Sequence, residues 1–148
     1  MRDRRFRENT VPCVSGLFVR RGQVLLTRRG HAPRQGEWSL PGGRIAAREP
    51  PLRALVREMA EETGLAPLAV LPFARVAVRH RGGPVYRILC FRVFSWHGRA
   101  RPGDDATACL WVPLARLPGV LKRPQTRRVI TAGAKLGLTA RGRPRRYE

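Results

Sequence analysis

The sequence predicts an α/β (α+β) domain in which a mixed β-sheet is sandwiched between helices, and three observations carry that prediction. Residues 51–63 and 124–136 place apolar side chains at helical spacing. Before and between them lie paired β-rich runs around Gly and Pro turn signals, and strand pairs separated by helices need those helices on the faces of a sheet. The chain has 148 residues, 43% of them hydrophobic, the size and composition of one domain with a real core.

The elements follow in order. Residues 1–10 read as a basic N-terminal tail, 11–138 as the single domain, and 139–148 as a basic C-terminal tail. Val11 to Arg20 is β-rich, Arg21-Gly22 is a turn, and Gln23 to Thr27 completes a hairpin. Residues 28–37 form a polar loop punctuated by Gly30, Pro33 and Gly36. Trp38 to Leu40 is extended, Pro41-Gly42-Gly43 turns, and the first helix runs from about Pro51 to Thr63, its prolines tolerated in the first turn where their missing N–H would be unpaired. Leu68 to His80 and Val85 to His97 are long strands joined through Arg81-Gly82-Gly83-Pro84. Ala108 to Val112 is a short strand, and Pro124 to Leu136 an amphipathic helix with Val129, Ile130 and Ala134 inward.

Charge and cysteine usage narrow the class. The formal net charge is +20, which invites a nucleic-acid partner because a basic surface concentrates phosphates. Only Lys122 and Lys135 are lysines among the 30 basic residues, an arginine bias of the kind a GC-rich coding sequence imposes throughout a chain. Clusters occur only at residues 2–7 and 141–146; they read as solvated tails, and nucleic acid is not the favoured partner. No apolar run approaches the length of a membrane span, and no apolar stretch follows the basic N-terminus as in a secretory signal. Cys13, Cys90 and Cys109 are odd in number and set among strand-like residues, so they read as reduced, buried side chains of a cytoplasmic protein.

The chemistry is concentrated in the first helix. Glu58, Glu61 and Glu62 are related by i, i+3 and i, i+4 steps, so their carboxylates share one face and are expected to converge. Leu52, Leu55, Val56 and Met59 form a second stripe about 110° round the helix, expected to anchor it to the core. Like charges at these spacings oppose the helix, and acids in its last turn oppose the macrodipole. A divalent cation would turn that repulsion into attraction, and hard carboxylate oxygens suit Mg²⁺ or Mn²⁺. Gly64 supplies a left-handed stop with Leu65 covering the last turn. An ordinary solvated face would pair Arg57 with Glu61 and Glu49 with Arg53, but four of the chain's ten acids fall between positions 49 and 62, a concentration that disfavours the ordinary reading.

The stretch from Gly43 to Leu65, with Gly43, Glu49, Arg57, Glu58, Glu61, Glu62 and Gly64 at fixed spacing, resembles the signature box of the Nudix hydrolases. V-L-L-T-R-R at 24–29, W-S-L-P-G-G at 38–43 and W-V-P-L at 111–114 extend the resemblance over most of the chain. It implies a Nudix-like α/β/α sandwich and Mg²⁺-dependent hydrolysis, with Mn²⁺ as a substitute, of a phosphoanhydride in a nucleoside diphosphate linked to another group. Ala46 and Arg48 stand where members often carry Glu and Gly, and neither position defines the box.

The resemblance assigns Glu58, Glu61, Glu62 and the Gly43 carbonyl to metal, and Arg57, paired with Glu49, to orienting the carboxylates. Among acids outside the box, Asp104 and above all Asp105 are candidates for the general base, with Glu37 behind them. Arg28 and Arg29 suit a phosphate clamp. Gly42 allows close backbone approach, and Trp38, Phe73, Tyr86 and Trp96 are the aromatics available for base stacking. Similarity leans toward an ADP-ribose-like small nucleotide; the alternatives are an oxidised or non-canonical nucleoside triphosphate and the 5′ end of an RNA. Similar proteins often complete the base pocket across a homodimer, and the sequence leaves the oligomeric state open.

Overall fold

Residues 13–18 are buried without interruption, so the strand that carries them must be covered on both faces. In this computed structural model, which describes residues 9–30, 34–79, 81–103, 106–138 and 144–146, that strand is β1 (Thr10–Arg20). Its Val14 and Phe18 enter one core, and Leu17 enters another on the opposite face.

The hairpin to β2 (Gln23–Arg29) turns at Arg21 and Gly22, with φ of 51° and 73°, a conformation whose twist suits flanking strands. β1 pairs with β2 only at its end, Val19 to Val24 and Arg20 to Gln23. Beyond the hairpin β2 lies between β3 (Trp38–Ser39) and β7 (Ala106–Pro113), both antiparallel to it. Over Thr10 to Phe18, β1 runs parallel to β6 (Val85–His97), which is antiparallel to β5 (Ala66–Arg79). β4 (Gly42–Arg44) takes the other edge of β1, with Ser15 opposite Gly42 and Val14 opposite Gly43. The seven strands form one mixed sheet, as expected: five follow the path β3-β2-β1-β6-β5, and off that path β4 pairs with β1 and β7 with β2.

Helix α1 (Pro51–Thr63) has the expected limits. Pro50 caps it in an extended conformation, and Gly64 ends it at φ 72° with its N–H bonded to the Ala60 carbonyl. The expected apolar stripe needs correction: Leu55 and Met59 are fully buried, but Leu52 is 51% and Val56 43% exposed. Gly16 in β1 explains the seating, because a Cβ there would lie 2.7 Å from the Met59 sulfur and 3.5 Å from Leu55. With that close approach, Ala54 and Thr63 join the buried face and Leu52 and Val56 turn outward.

The opposite face is covered by a 3₁₀ turn (Leu114–Arg116), α2 (Leu117–Val120) and α3 (Pro124–Ala134). Leu117, Leu121 and Ile130 pack there with Leu17, Val24, Leu26 and Val112. Val129 and Ala134 are half-buried, whereas Gly133 is buried against Leu17 and Phe73. α3 ends two residues short of the expected boundary because Leu136 enters β8 (Leu136–Leu138), which pairs with β9 (Pro144–Arg146). Part of the expected C-terminal tail is therefore strand. Among the described residues, no helix is long and apolar enough to cross a membrane.

Candidate functional site

The split in the sheet makes the site. β1 carries β4 along the edge that later receives β2, and a cleft of about 540 Å³ opens beside it, reaching from the acidic face of α1 to α3. Gly16 N–H bonds to Pro41 O at 2.9 Å and Ile45 N–H to Pro12 O at 2.9 Å, fixing the Pro-Gly-Gly segment against β1. A Cβ at Gly42 would overlap the Val14 carbonyl, and one at Gly43 would overlap the Glu58 carboxyl group. Both positions therefore need glycine for close approach rather than for an unusual φ.

The box side chains form one network. Arg57 donates to Glu49 through two bonds, Nε to Oε2 at 2.9 Å and Nη2 to Oε1 at 2.8 Å. Its Nη1 donates to Glu58 Oε1 at 2.8 Å and more weakly to Glu61 Oε2 at 3.5 Å, while Nη2 also reaches the Arg44 carbonyl at 3.0 Å. Glu49 Oε1 accepts a further bond from the Ala46 N–H at 3.0 Å. The Arg57 guanidinium, then this N–H, hold the Glu49 carboxyl at a pKa of about 2. Glu49 and then Glu58 raise the affinity of Arg57 for its proton. Arg57 thus touches Glu49, Glu58 and Glu61 at once, and Glu49 takes Arg57, not the exposed Arg53, as its bidentate partner.

The three helix carboxylates share a face without meeting at a point. Glu62 Oε2 accepts the Gly42 N–H at 3.0 Å, whereas Arg57 draws Glu58 and Glu61 the other way. Among the described residues there is no group of three or more His, Cys, Asp or Glu side chains placed to hold a metal ion, so the three carboxylates do not converge as expected. Glu58 and Glu62 line the cleft with Gly42 and Gly43, and exposed Glu61 does not. The donor chemistry still fits a hard cation: two carboxylates, with a glycine kept bare against one of them, flank the same opening.

Arg28, Arg29, Trp38 and Gly42 line the cleft as candidate binding residues. Arg28 directs its Nε to the Gly36 carbonyl at 3.0 Å. Glu37 lies in the cleft too and accepts Arg123 Nε at 3.2 Å. Asp104 and Asp105 lie outside the described residues. Of the four aromatics, Trp38 and Tyr86 reach the cleft, and Arg44 stands over the Tyr86 ring at 5.7 Å. Phe73 packs in the core beside α3; Trp96 packs edge-on against Phe18 at 5.3 Å and stacks on Trp111 at 5.7 Å.

Arg34, Arg44 and Arg123 are cleft residues that the sequence did not single out, as are Cys13, Ser15 and Cys90 on its floor. Period-two alternation could have found the floor, since Cys13 and Ser15 must face away from the helix that Gly16 meets. The three cysteines are free thiols, as expected. Burial raises the pKa of each, that of Cys109 to about 11.

The NUDIX domain profile matches residues 9–132. A Mycobacterium tuberculosis protein whose name provisionally assigns it 8-oxo-dGTP diphosphatase activity is 39% identical over 110 residues, covering 72% of this chain and 76% of the relative. A Methanocaldococcus jannaschii protein named ADP-ribose pyrophosphatase is 34% identical over 107 residues, covering 71% of this chain and 63% of the relative. Among solved structures, a MutT Nudix hydrolase of Burkholderia pseudomallei superposes with a TM-score of 0.77 at 29% identity, over 84% of this chain and 98% of that one.

Proposed function

The chain belongs to the Nudix hydrolase family, as a pyrophosphohydrolase of nucleotide phosphoanhydrides, and from that premise we propose that it cleaves a purine nucleoside triphosphate carrying an oxidised base, releasing the monophosphate and pyrophosphate. One observation carries this reading: the cleft bounded by Glu58, Glu62 and the Gly42-Gly43 turn is lined by Arg28, Arg29, Arg34, Arg44 and Arg123. So many guanidiniums suit the charge of a triphosphate better than that of a diphosphate diester. The M. tuberculosis relative supports the same choice. ADP-ribose, toward which the sequence leans, is the second reading and is favoured by the M. jannaschii relative.

Glu58, Glu62 and the Gly43 carbonyl would hold Mg²⁺ or Mn²⁺, with Glu61, which contacts Arg57, as a further candidate ligand. When bound, a divalent ion neutralises phosphate charge and lowers the pKa of a coordinated water. The chain's own residues position the rest. Arg57 holds Glu58 by one bond while Glu49 grips Arg57 by two, so the carboxylate is aimed before substrate arrives. Gly42 N–H does the same for Glu62. The arginines of the cleft orient the phosphate chain, and Trp38 and Tyr86 offer aromatic faces to the base.

The test is product analysis with Mg²⁺ and a panel of normal and oxidised purine triphosphates, ADP-ribose, dinucleotides and a 5′-triphosphorylated RNA. Monophosphate plus pyrophosphate from an oxidised triphosphate, cut about 100-fold or more in Glu62→Gln, is the expected result. AMP plus ribose phosphate as the efficient reaction overturns the triphosphate reading in favour of ADP-ribose. Turnover confined to the RNA would instead identify a 5′-end hydrolase.

A further inference from the structure

Three described carboxylates line the cleft, and the box helix accounts for two of them, Glu58 and Glu62. The third is Glu37. Its side chain is 16% exposed, and Arg123 Nε binds its Oε1 at 3.2 Å. Among the described residues Oε2 accepts no hydrogen bond. An ionised carboxylate has about four acceptor positions, so Arg123 leaves most of Glu37 open to donors from outside the chain. In a cleft whose arginines await phosphates, such a charge works against binding unless it faces something else.

The charges of the cleft show where it faces. Burial raises the pKa of Cys13, and the charges acting on it are those of Arg44, Glu58 and Arg29, which marks the metal and phosphate end. Burial and then Arg123 lower the pKa of Arg34, while Glu37, Arg29 and Tyr86 are the other charges acting there. Arg29 is common to both groups. The cleft therefore runs from Glu58 past Arg29 to Arg34, Glu37 and Arg123. α3 closes this far end: Arg123 is its N-cap, and Gln125 Nε2 reaches the Ala77 carbonyl of β5 at 3.4 Å. Trp38, the residue after Glu37, and Tyr86 line the cleft as flat faces. An acceptor-only group beside aromatic rings suits the hydrogen-donating edge of a heterocycle.

We infer that Glu37 is a specificity-determining residue that selects guanine, its carboxylate accepting the N1–H and the 2-amino N–H of the base while Arg123 holds it in place. This deepens the proposed function and rests on the nucleotide reading of the cleft, though not on which phosphoanhydride is cut. Adenine presents a lone pair at N1 where guanine presents a hydrogen, so acceptor meets acceptor and adenine is rejected. Oxidation at C8 alters a different edge of the purine. Glu37 thus reads damaged and undamaged guanine alike.

Calorimetry with GMP, IMP and AMP tests that edge group by group, since IMP keeps N1–H and lacks the 2-amino group. Wild type is expected to bind GMP about tenfold more tightly than IMP and about 100-fold more tightly than AMP, one charge-assisted hydrogen bond per step. In Glu37→Gln the amide can accept from the 6-amino group of adenine and donate to its N1. AMP should then bind about threefold or more tighter than it does to wild type, and the preference for GMP should fall to within about threefold. A mere strut between the loop and α3 predicts the reverse for AMP: equal weakening of all three ligands with a lowered melting temperature. That outcome, a wild type indifferent to the base, or no binding of any monophosphate overturns the assignment. The wild-type ranking needs no variant, so it decides the matter if Glu37→Gln does not fold. Failure of the triphosphate reading would appear in the product analysis, and failure of Glu37 in the ranking of GMP over AMP, so the two can fail separately.

Discussion

Arg57 grips Glu49 with both ends of its guanidinium fork, at 2.9 and 2.8 Å, while a third bond at 2.8 Å holds Glu58. A lysine can offer one charge but not this planar set of donors. Arg57→Lys and Arg57→Ala are therefore both expected to lower kcat by roughly 10- to 100-fold through loss of aim at Glu58. Glu49→Gln should reproduce part of that loss. Steady-state kinetics with circular dichroism checks it: kcat within twofold of wild type in Arg57→Lys would show that charge alone suffices.

The same pair sets an acid dependence. Glu49 has a pKa of about 2 in the folded chain against an ordinary 4.5, mainly because Arg57 hydrogen-bonds its charged form. A depressed carboxylate pKa gives stability that is fully present above the unfolded value and is lost as pH falls through the folded one. Wild type should exceed Glu49→Gln in melting temperature by a constant margin above about pH 5, and the margin should shrink from pH 4.5 toward 2. Melts of both proteins across that range test the sign. A margin that grows on acidification would contradict it.

Gly43 is bare because the Glu58 carboxyl group occupies the place a Cβ would need. The obstacle is the end of a flexible side chain, so Gly43→Ala should displace Glu58 more than it damages the fold. Turnover is expected to fall about 100-fold or more, with stability lowered by about 1 kcal/mol or less. Gly42→Ala should behave differently, since its Cβ would meet the backbone of Val14. Urea unfolding of both variants should rank Gly42→Ala as much the less stable; the reverse order would mean that the turn relaxes freely.

What the sequence made legible follows from local physics. The α1 limits and its Gly64 stop depend on residues within one or two turns, and both stand as read. The rotation of α1 was not legible, because it depends on Gly16, a bare spot in β1 some forty positions earlier that seats Leu55 and Met59 and leaves Leu52 and Val56 outside. Arg48 adds a local case: it stands where similar proteins often carry glycine, and it adopts φ 63°, the left-handed region that glycine takes without strain. The direction of Glu61, toward Arg57 rather than the cleft, is set by competition among side chains that spacing does not rank. Ser15 was hidden because a lone serine in an apolar strand tells nothing until β4 and β6 are known to flank it.

The last turn of α1 owes its placement to a loop that the motif does not include. Arg101 N–H bonds to the Thr63 carbonyl at 2.8 Å and Gly103 N–H to the Glu62 carbonyl at 3.0 Å, satisfying acceptors that a helix end otherwise leaves open. A Cβ at Gly103 would run into the Glu61 carbonyl, which is backbone and cannot step aside. Gly103→Ala should therefore push the loop off the helix end, free the turn bearing Glu61 and Glu62, and cost about 1 to 3 kcal/mol. Activity should fall with it even though Gly103 is not among the residues that line the cleft. Hydrogen exchange can localise the effect: faster exchange at residues 62–65 and 101–103 with the β1 amides still protected is the expected pattern, whereas uniform loss of protection would show that the loop supports the whole domain instead.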